Sequence, residues 1–291
     1  MRKLHAAIPF RRREIELTLK KTNRLLNFLV TAALLFLFIR AALYDGLVVR
    51  EYDIRSPLVS SPHTFVLLTD LHATYYGEQQ FGLTATIDRY SPEAVFLAGD
   101  IGDDKRDFDG TAVFLEAVCM NYPCYYVTGN HERWVEYTDD IKELMGSYGV
   151  TVLDETCGPV LLVDGEIALF GMDDPLFYDD TTEYLSLLST LDVSEETFDL
   201  LLAHRPEFYN EYLAEKFDLT LCGHAHGGQV RIPFLMNGLY APNQGYFPDY
   251  AGGLYESDGQ TMIVSRGLMK DDLPRVFNPP EVCVIHILPE E

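Results

Sequence analysis

The chain has 291 residues, of which 47% are hydrophobic, 12% aromatic and 23% charged, and this composition excludes disordered, collagen-like and disulfide-framework proteins. Twenty-two Lys or Arg against 45 Asp or Glu leave a net charge of −23, which argues against binding a nucleic-acid backbone, a task that needs a basic face. The charge is segregated: residues 1–50 hold ten bases and three acids, a net +7, and the remaining 241 residues hold 12 bases and 42 acids, a net −30.

In chain order, a basic segment over 1–24 leads into an apolar run over 25–43, interrupted by Asn27, Thr31 and Arg40, with no charge in 28–39. A bilayer span wants roughly 20 mostly apolar residues, and Arg40 near one end can snorkel to the interface. The run is therefore read as one transmembrane helix over 25–45. The alternatives are a buried core helix and the apolar stretch of a cleaved signal peptide. Eight bases precede the run, which predicts a cytoplasmic N-terminus and an extracytoplasmic chain after about Leu47, as in a single-pass protein of the cell membrane. Residues 46–63, with Pro57 and Pro62, read as a linker, and 64–291 as one domain.

Beyond the linker, short apolar runs of strand type alternate with helix-length stretches. Strands are expected at 64–68, 94–97, 124–127, 160–163, 167–171, 200–203, 219–222, 261–265 and 282–287. Helices are expected at 78–90, 110–120, 132–148, 182–191 and 206–215. This order predicts an α/β sandwich of mixed sheets with helices outside. The five cysteines, Cys119, Cys124, Cys157, Cys222 and Cys283, show no paired zinc spacing. Cys119 and Cys124 are close enough in sequence to pair outside the cytoplasm, and Cys222 reads as a small buried apolar residue.

Five strand ends run into metal-ligand residue types. They are Asp70-Leu71-His72, Gly99-Asp100 with Asp103, Gly129-Asn130-His131-Glu132, His204, and Gly223-His224-Ala225-His226. In α/β sheets the crevice beyond the carboxyl ends of strands is where ligands bind, so these loops can converge on one place. Each motif alone is commonplace. Together they gather five of the eight histidines with aspartates and an asparagine beside apolar runs, a costly placement of polar groups unless they share a purpose.

These five motifs, in their order and strand context, resemble those of the calcineurin-like metallophosphoesterases over about 64–288. The stretches 227–233 and 275–281 further resemble the membrane-associated bacterial branch, some of which act on phosphodiesters or nucleotide-linked lipid precursors. The resemblance implies a four-layer α/β sandwich, two mixed sheets flanked by helices. It also implies one divalent metal on Asp70, His72, Asp100 and His226, and a second on Asp100, Asn130, His204 and His224, with Asp100 bridging. A hydroxide between two such ions, about 3.5–4 Å apart, is the expected nucleophile. Manganese is the first choice among manganese, iron and zinc. His131 is implied as the acid that protonates the leaving group, held by Asp103, while Glu132 reads as a helix-starting acid.

The expected partner is a phosphate-ester substrate, lipid- or nucleotide-linked in some branch members. The aromatic-rich stretch 234–255 reads either as a rim admitting a lipid or sugar or as an ordinary packed loop. Arg205, Arg231 and Arg266 are candidates for contacting substrate phosphate, or for structural ion pairs. Three functions compete at this point: a membrane-anchored dinuclear-metal phosphoesterase, a pyrophosphatase of a nucleotide-linked lipid, and a catalytically silent metal-binding sensor domain. Intact ligand positions and His131 disfavour the last.

Overall fold

The computed structural model describes residues 7–106, 108–135, 138–156, 158–270 and 273–290, so the first six residues of the basic segment and Cys157 lie outside the described residues. The chain divides into two compact units, Met1–Tyr44 and Asp45–Glu291.

The first unit is a single helix, α1 (Ala7–Ala42). Its 25 residues Thr18–Ala42 are long and apolar enough to cross a membrane by length and composition. At about 1.5 Å per residue they exceed the roughly 30 Å of a hydrocarbon core. Leu25, Leu34 and Phe36 are exposed on it.

The second unit is built on two sheets. The first holds β1 (Val48–Ser56), β2 (His63–Leu68), β3 (Ala94–Ala98), β4 (Cys124–Val127) and β5 (Thr151–Val152). The second holds β6 (Val160–Leu162), β7 (Ile167–Gly171), β8 (Phe198–Leu202) and β9 (Leu219–Cys222). A small hairpin of β10 (Tyr240–Ala241) and β11 (Gly245–Tyr246) follows. β12 (Gly253–Ser257) and β13 (Gln260–Val264) then extend the second sheet, and β14 (Glu281–Pro289) returns to the first. The six-stranded orders are β1-β14-β2-β3-β4-β5 and β12-β13-β9-β8-β7-β6. Both sheets are mixed: β2 to β5 are parallel with β14 antiparallel to β2, and β13, β9, β8 and β7 are parallel with antiparallel edges β12 and β6.

Side-chain parity explains the layers. Phe65, Leu67, Phe96 and Ile285 from the first sheet meet Leu169, Leu200, Leu202 and Leu221 from the second in one inner core. Their neighbours Val66, Leu68, Val95 and Leu97 face the other way, onto Leu83 and Ile87 of α2 (Phe81–Ile87), Phe114 of α3 (Asp109–Phe114) and the helix carrying Ile141 and Met145. On the far side Phe170, Leu201 and Met262 pack on Tyr184 and Leu188 of one helix and Tyr212 of another. Strands covered on both faces must be apolar at every position, which is why they read as continuous runs rather than as an alternation. The four-layer α/β sandwich expected from the sequence is what forms.

Several elements differ from their sequence reading. Residues 46–63, read as a linker, contain β1, whose nine residues pair in parallel with β14 from Val48↔Glu281 to Ser56↔Pro289. Charges alternate with Tyr52 and Ile54 along it, the pattern of an edge strand with one face wet. The apolar helix ends at Ala42 rather than 45, before the polar turn at Asp45 and Gly46. The single helix expected over 132–148 is two, α4 (Asn130–Trp134) and α5 (Thr138–Ser147), because Val135 adopts an extended conformation that stops the first. The other α-helices among the described residues are α6 (Thr181–Leu188) and α7 (Tyr209–Ala214). Cys119 and Cys124 are buried free thiols rather than a disulfide, and Cys222 is fully buried as expected.

Candidate metal centre

The carboxyl ends of β2, β3 and β4 in one sheet and of β8 and β9 in the other release the five motifs into a common crevice. Ligand atoms gather there in overlapping groups, each within 4.8 Å: Asp70, His72, Asp100 and His226 in one, Asp100, His204 and His224 in another, and His72, Asp103 and His131 in a third at the rim. Asp100 belongs to the first two. Its Oδ2 stands 3.7 Å from His72 Nε2 and 3.2 Å from His204 Nε2, and Asp70 Oδ1 stands 3.5 Å from His226 Nε2. His224 Nδ1 completes the second group, 3.2 Å from His204 Nε2.

The backbone that presents these side chains is unusual. Asp70, His72, Asp100, His224 and His226 all have φ between 46° and 66°, the left-handed region that non-glycine residues enter at a cost of order 1–3 kcal/mol each. Cross-loop hydrogen bonds hold two of them there, Asp70 N to Gly99 O and His72 N to Asp100 O, both 3.0 Å. Gly129 is needed for close approach, since a Cβ there would lie 2.3 Å from Asp100 Oδ1. Gly223 likewise leaves room for Asp70 Oδ2, which a Cβ would meet at 2.6 Å.

Two tests show that these residues fit divalent cations. Asp70 and Asp100 are 0% and 1% exposed. Among the described residues neither forms an ion pair with a lysine or arginine, and buried carboxylates without a cation are strongly disfavoured. His72 Nε2, Asp100 Oδ2 and Asn130 Oδ1 are buried polar atoms without a hydrogen-bond partner in this same crevice, a combination expected of ligand atoms. Two of the imidazoles are held in the neutral form that binds a cation. Burial, then the charge on His204, lowers His224 to about 3, and burial with His72 keeps His226 well below its ordinary value. Burial acts the same way on His204, but Asp100 outweighs it and raises that ring to about 10, so a proton and a cation compete for the same position.

Outer contacts fix which nitrogen faces inward. His204 Nδ1 donates to Ala98 O at 2.7 Å, leaving Nε2 for the crevice, and His224 Nε2 meets Asn243 Oδ1 at 2.9 Å, leaving Nδ1. Asn243 sits in the loop between β10 and β11, and no sequence motif drew attention to it. Glu132 does more than start a helix. Buried in α4, its carboxylate accepts N–H bonds from Asp100 (2.9 Å), Ile101 (2.7 Å), Gly102 (3.0 Å) and Gly129 (2.7 Å), clamping the loop that carries Asp100. Asn278 Nδ2 holds His226 O at 2.7 Å.

His131 lies at the rim, its side chain 18% exposed, with its ring edge-on to His72 at 4.4 Å and its backbone N–H donating to Asp100 Oδ1. Asp103 lies near His131, its ligand oxygen within 4.8 Å of a ring nitrogen, and among the described residues it is Asp104 that hydrogen-bonds the ring. Asp103 Oδ2 lies 3.3 Å from His72 Nδ1, and its Oδ1 accepts the Lys105 N–H at 2.7 Å. Asp104 Oδ1 meets His131 Nδ1 instead, at 2.6 Å. Arg205 is not available to a substrate phosphate, because its guanidinium forks onto buried Asp174 at 2.6 and 2.9 Å.

Comparison with known proteins identifies the family. The calcineurin-like phosphoesterase family model matches residues 63–228. The Bacillus subtilis metallophosphoesterase YkuE is 30% identical over 80% of this chain and 83% of its own length. The Escherichia coli phosphodiesterase YaeI is 26% identical over 79% of this chain and 83% of its own. A solved Plasmodium structure, GAP50, the anchor in the inner membrane complex, superposes with a TM-score of 0.44 at 11% identity, over 78% of this chain and 81% of that one. With a family match over more than half its length, this chain belongs to the calcineurin-like phosphoesterases and is a metal-dependent phosphoesterase.

Proposed function

We propose that this chain is a dinuclear phosphodiesterase that hydrolyses an ester bond outside the cytoplasmic membrane, to which its N-terminal helix anchors it. The observation that carries this reading is the pair of buried carboxylates, Asp70 and Asp100, with no lysine or arginine partner among the described residues, beside His72 and Asn130 atoms that have no hydrogen-bond partner. Asp70, His72, Asp100 and His226 would hold one cation and Asp100, Asn130, His204 and His224 the other, with manganese the first choice for a mixed imidazole and carboxylate set. When bound, such a pair activates water near neutral pH and neutralises charge on phosphoryl oxygens.

The chain's own residues supply the rest. Asp100 spans the two groups and sets their separation. Ala98 O and Asn243 orient the imidazoles, and Glu132 fixes the loop between them. His131 at the open rim donates its proton to the departing oxygen, held in the right tautomer by Asp104. A diester is favoured by the name of the E. coli relative. The basic N-terminal segment favours an outward-facing catalytic unit.

The test uses the full chain in detergent with manganese and a panel of phosphomonoesters, phosphodiesters and pyrophosphates. Diester hydrolysis that chelator abolishes is expected, together with loss of both metal content and turnover in Asp100→Asn. Two fully bound ions with unchanged activity in that variant would rule out the bridging role. A reporter fused after Glu291 should be active only outside the cytoplasm, and full protection of the large unit from protease in spheroplasts would overturn the orientation.

A further inference from the structure

A second cationic feature lies outside the metal-ligand set. In a unit whose net charge is near −30, Arg50, Arg231 and Arg266 line one pocket of about 480 Å³ together with the turn Ile232–Asn237. Among the described residues the carboxylate paired with them is Glu281, and it is already taken: Arg266 donates to it through Nε at 2.5 Å, through Nη2 and through its backbone N–H. Arg50 reaches the same carboxylate only at 3.9 Å and is 55% exposed. Arg231 gives Nη2 to Asn237, while its Nη1 is buried and has no hydrogen-bond partner. Burial and the repulsion of Arg266 lower the Arg231 guanidinium from its ordinary value, as expected where positive charge is under-compensated. A buried guanidinium nitrogen without an acceptor is a costly arrangement that an anion would relieve.

Apolar side chains stand beside this pocket. The turn from Ile232 to Met236, closed by Ile232 N to Met236 O at 3.0 Å, carries Phe234 and Leu235 at its tip. Phe234 is fully exposed and Leu235 is 80% exposed. Phe234 also sits at φ 66°, an unfavourable conformation for a bulky side chain. Solvent rewards neither the exposure nor the backbone. A ligand with a phosphate next to hydrocarbon would use both halves, since a guanidinium fork matches two phosphate oxygens and the exposed rings match acyl chain. Arg50 lies eight residues beyond Ala42, the last residue of the apolar helix, so a membrane source for such a ligand is within reach of the chain itself.

We propose that the Arg50–Arg231–Arg266 pocket binds the phosphate of an anionic membrane phospholipid, with Phe234 and Leu235 inserted among its acyl chains. A phosphodiester headgroup offers two non-bridging oxygens, one for Arg231 Nη1 and one for Arg50. The site differs from the metal centre, so its test removes metal altogether. Full-length chain in non-ionic detergent with chelator is titrated with phosphatidylglycerol, phosphatidylcholine or inorganic phosphate, and bound species are counted by native mass spectrometry. One phosphatidylglycerol should bind in preference to phosphatidylcholine, and Arg231→Gln should weaken it about tenfold, the scale of one lost charge-assisted contact. Arg50→Gln, at an exposed position where folding is not at stake, should weaken it several-fold, and Phe234→Ser should weaken the lipid but not free phosphate. Equal binding of the two lipids, or binding unchanged in both arginine variants, overturns the proposal. Free phosphate bound as tightly as the lipid, with Phe234→Ser silent, overturns the lipid assignment. Because metal is absent throughout, either result is distinct from a failure of the hydrolytic reading.

Discussion

Asn243 offers a sharp test of the centre because it does two separable things. Its Oδ1 lies 2.9 Å from His224 Nε2, and its own backbone is left-handed at φ 60°. Asn243→Gly keeps the backbone and deletes the acceptor, so the His224 ring loses the contact that places its lone pair on Nδ1, the atom 3.2 Å from His204 Nε2. Loss of such an outer partner costs about 10–100-fold in metal affinity, or about 1.4–2.7 kcal/mol. Asn243→Asp retains an acceptor and tolerates the left-handed region, so it should bind manganese at least as tightly as the parent. Asn243→Ala loses both, and strain of about 1 kcal/mol should lower its melting temperature by about 2–4 °C below that of the glycine variant. Competition titration of manganese against a chelator reads the affinities, and calorimetry reads the melts. If Asn243→Gly binds manganese like the parent, or Asn243→Asp falls with it, the amide does not orient His224.

Glu132→Gln should lower stability by about 2–4 kcal/mol and the melting temperature by about 5–15 °C, because an amide has one accepting oxygen for four N–H donors; an unchanged melt would remove the clamp. Asp104→Asn should slow single-turnover hydrolysis of alkyl esters by about 10–100-fold while sparing nitrophenyl esters, whose leaving group needs little protonation. The same selectivity in Asp103→Asn alone would return the role to Asp103. Manganese at about 100 times its dissociation constant should stabilise the fold by about 2.7 kcal/mol, a rise of roughly 5–10 °C that chelator reverses; a melt indifferent to metal would mean that the crevice holds none.

What was legible in the sequence follows from how each feature is encoded. Strands buried on both faces announce themselves as short apolar runs, so β2, β3, β4, β7 and β9 were found nearly to the residue, and with them the loops that hold the ligands. β1 was passed over because an edge strand with alternating charges looks like a connector until β14, more than 200 residues later, pairs with it. The ligands were visible because each is a polar type abutting an apolar run. The groups that orient them were not. Asn243 is one asparagine among turn residues, and Glu132 looked like any acid at a helix start, since neither a fold-dependent acceptor nor a four-fold clamp leaves a local pattern. Asp103 and Asp104 are adjacent and chemically identical, and only the folded loop shows that Asp104 hydrogen-bonds the His131 ring while Asp103 stands close by.

The left-handed backbone at five of the proposed ligand positions also restricts which residues can evolve there. Asn, Asp and His are the side chains that visit this region most readily, and β-branched and bulky ones are largely shut out. Substitutions between aspartate, asparagine and histidine at Asp70, His72, Asp100, His224 or His226 would alter charge and metal preference while leaving the loops intact. Other ligand types, whatever their affinity for a cation, would first have to overcome the loop. The crevice can thus be retuned among a few hard and borderline cations by single changes, whereas a thiolate-lined site for softer metals lies several coordinated backbone changes away.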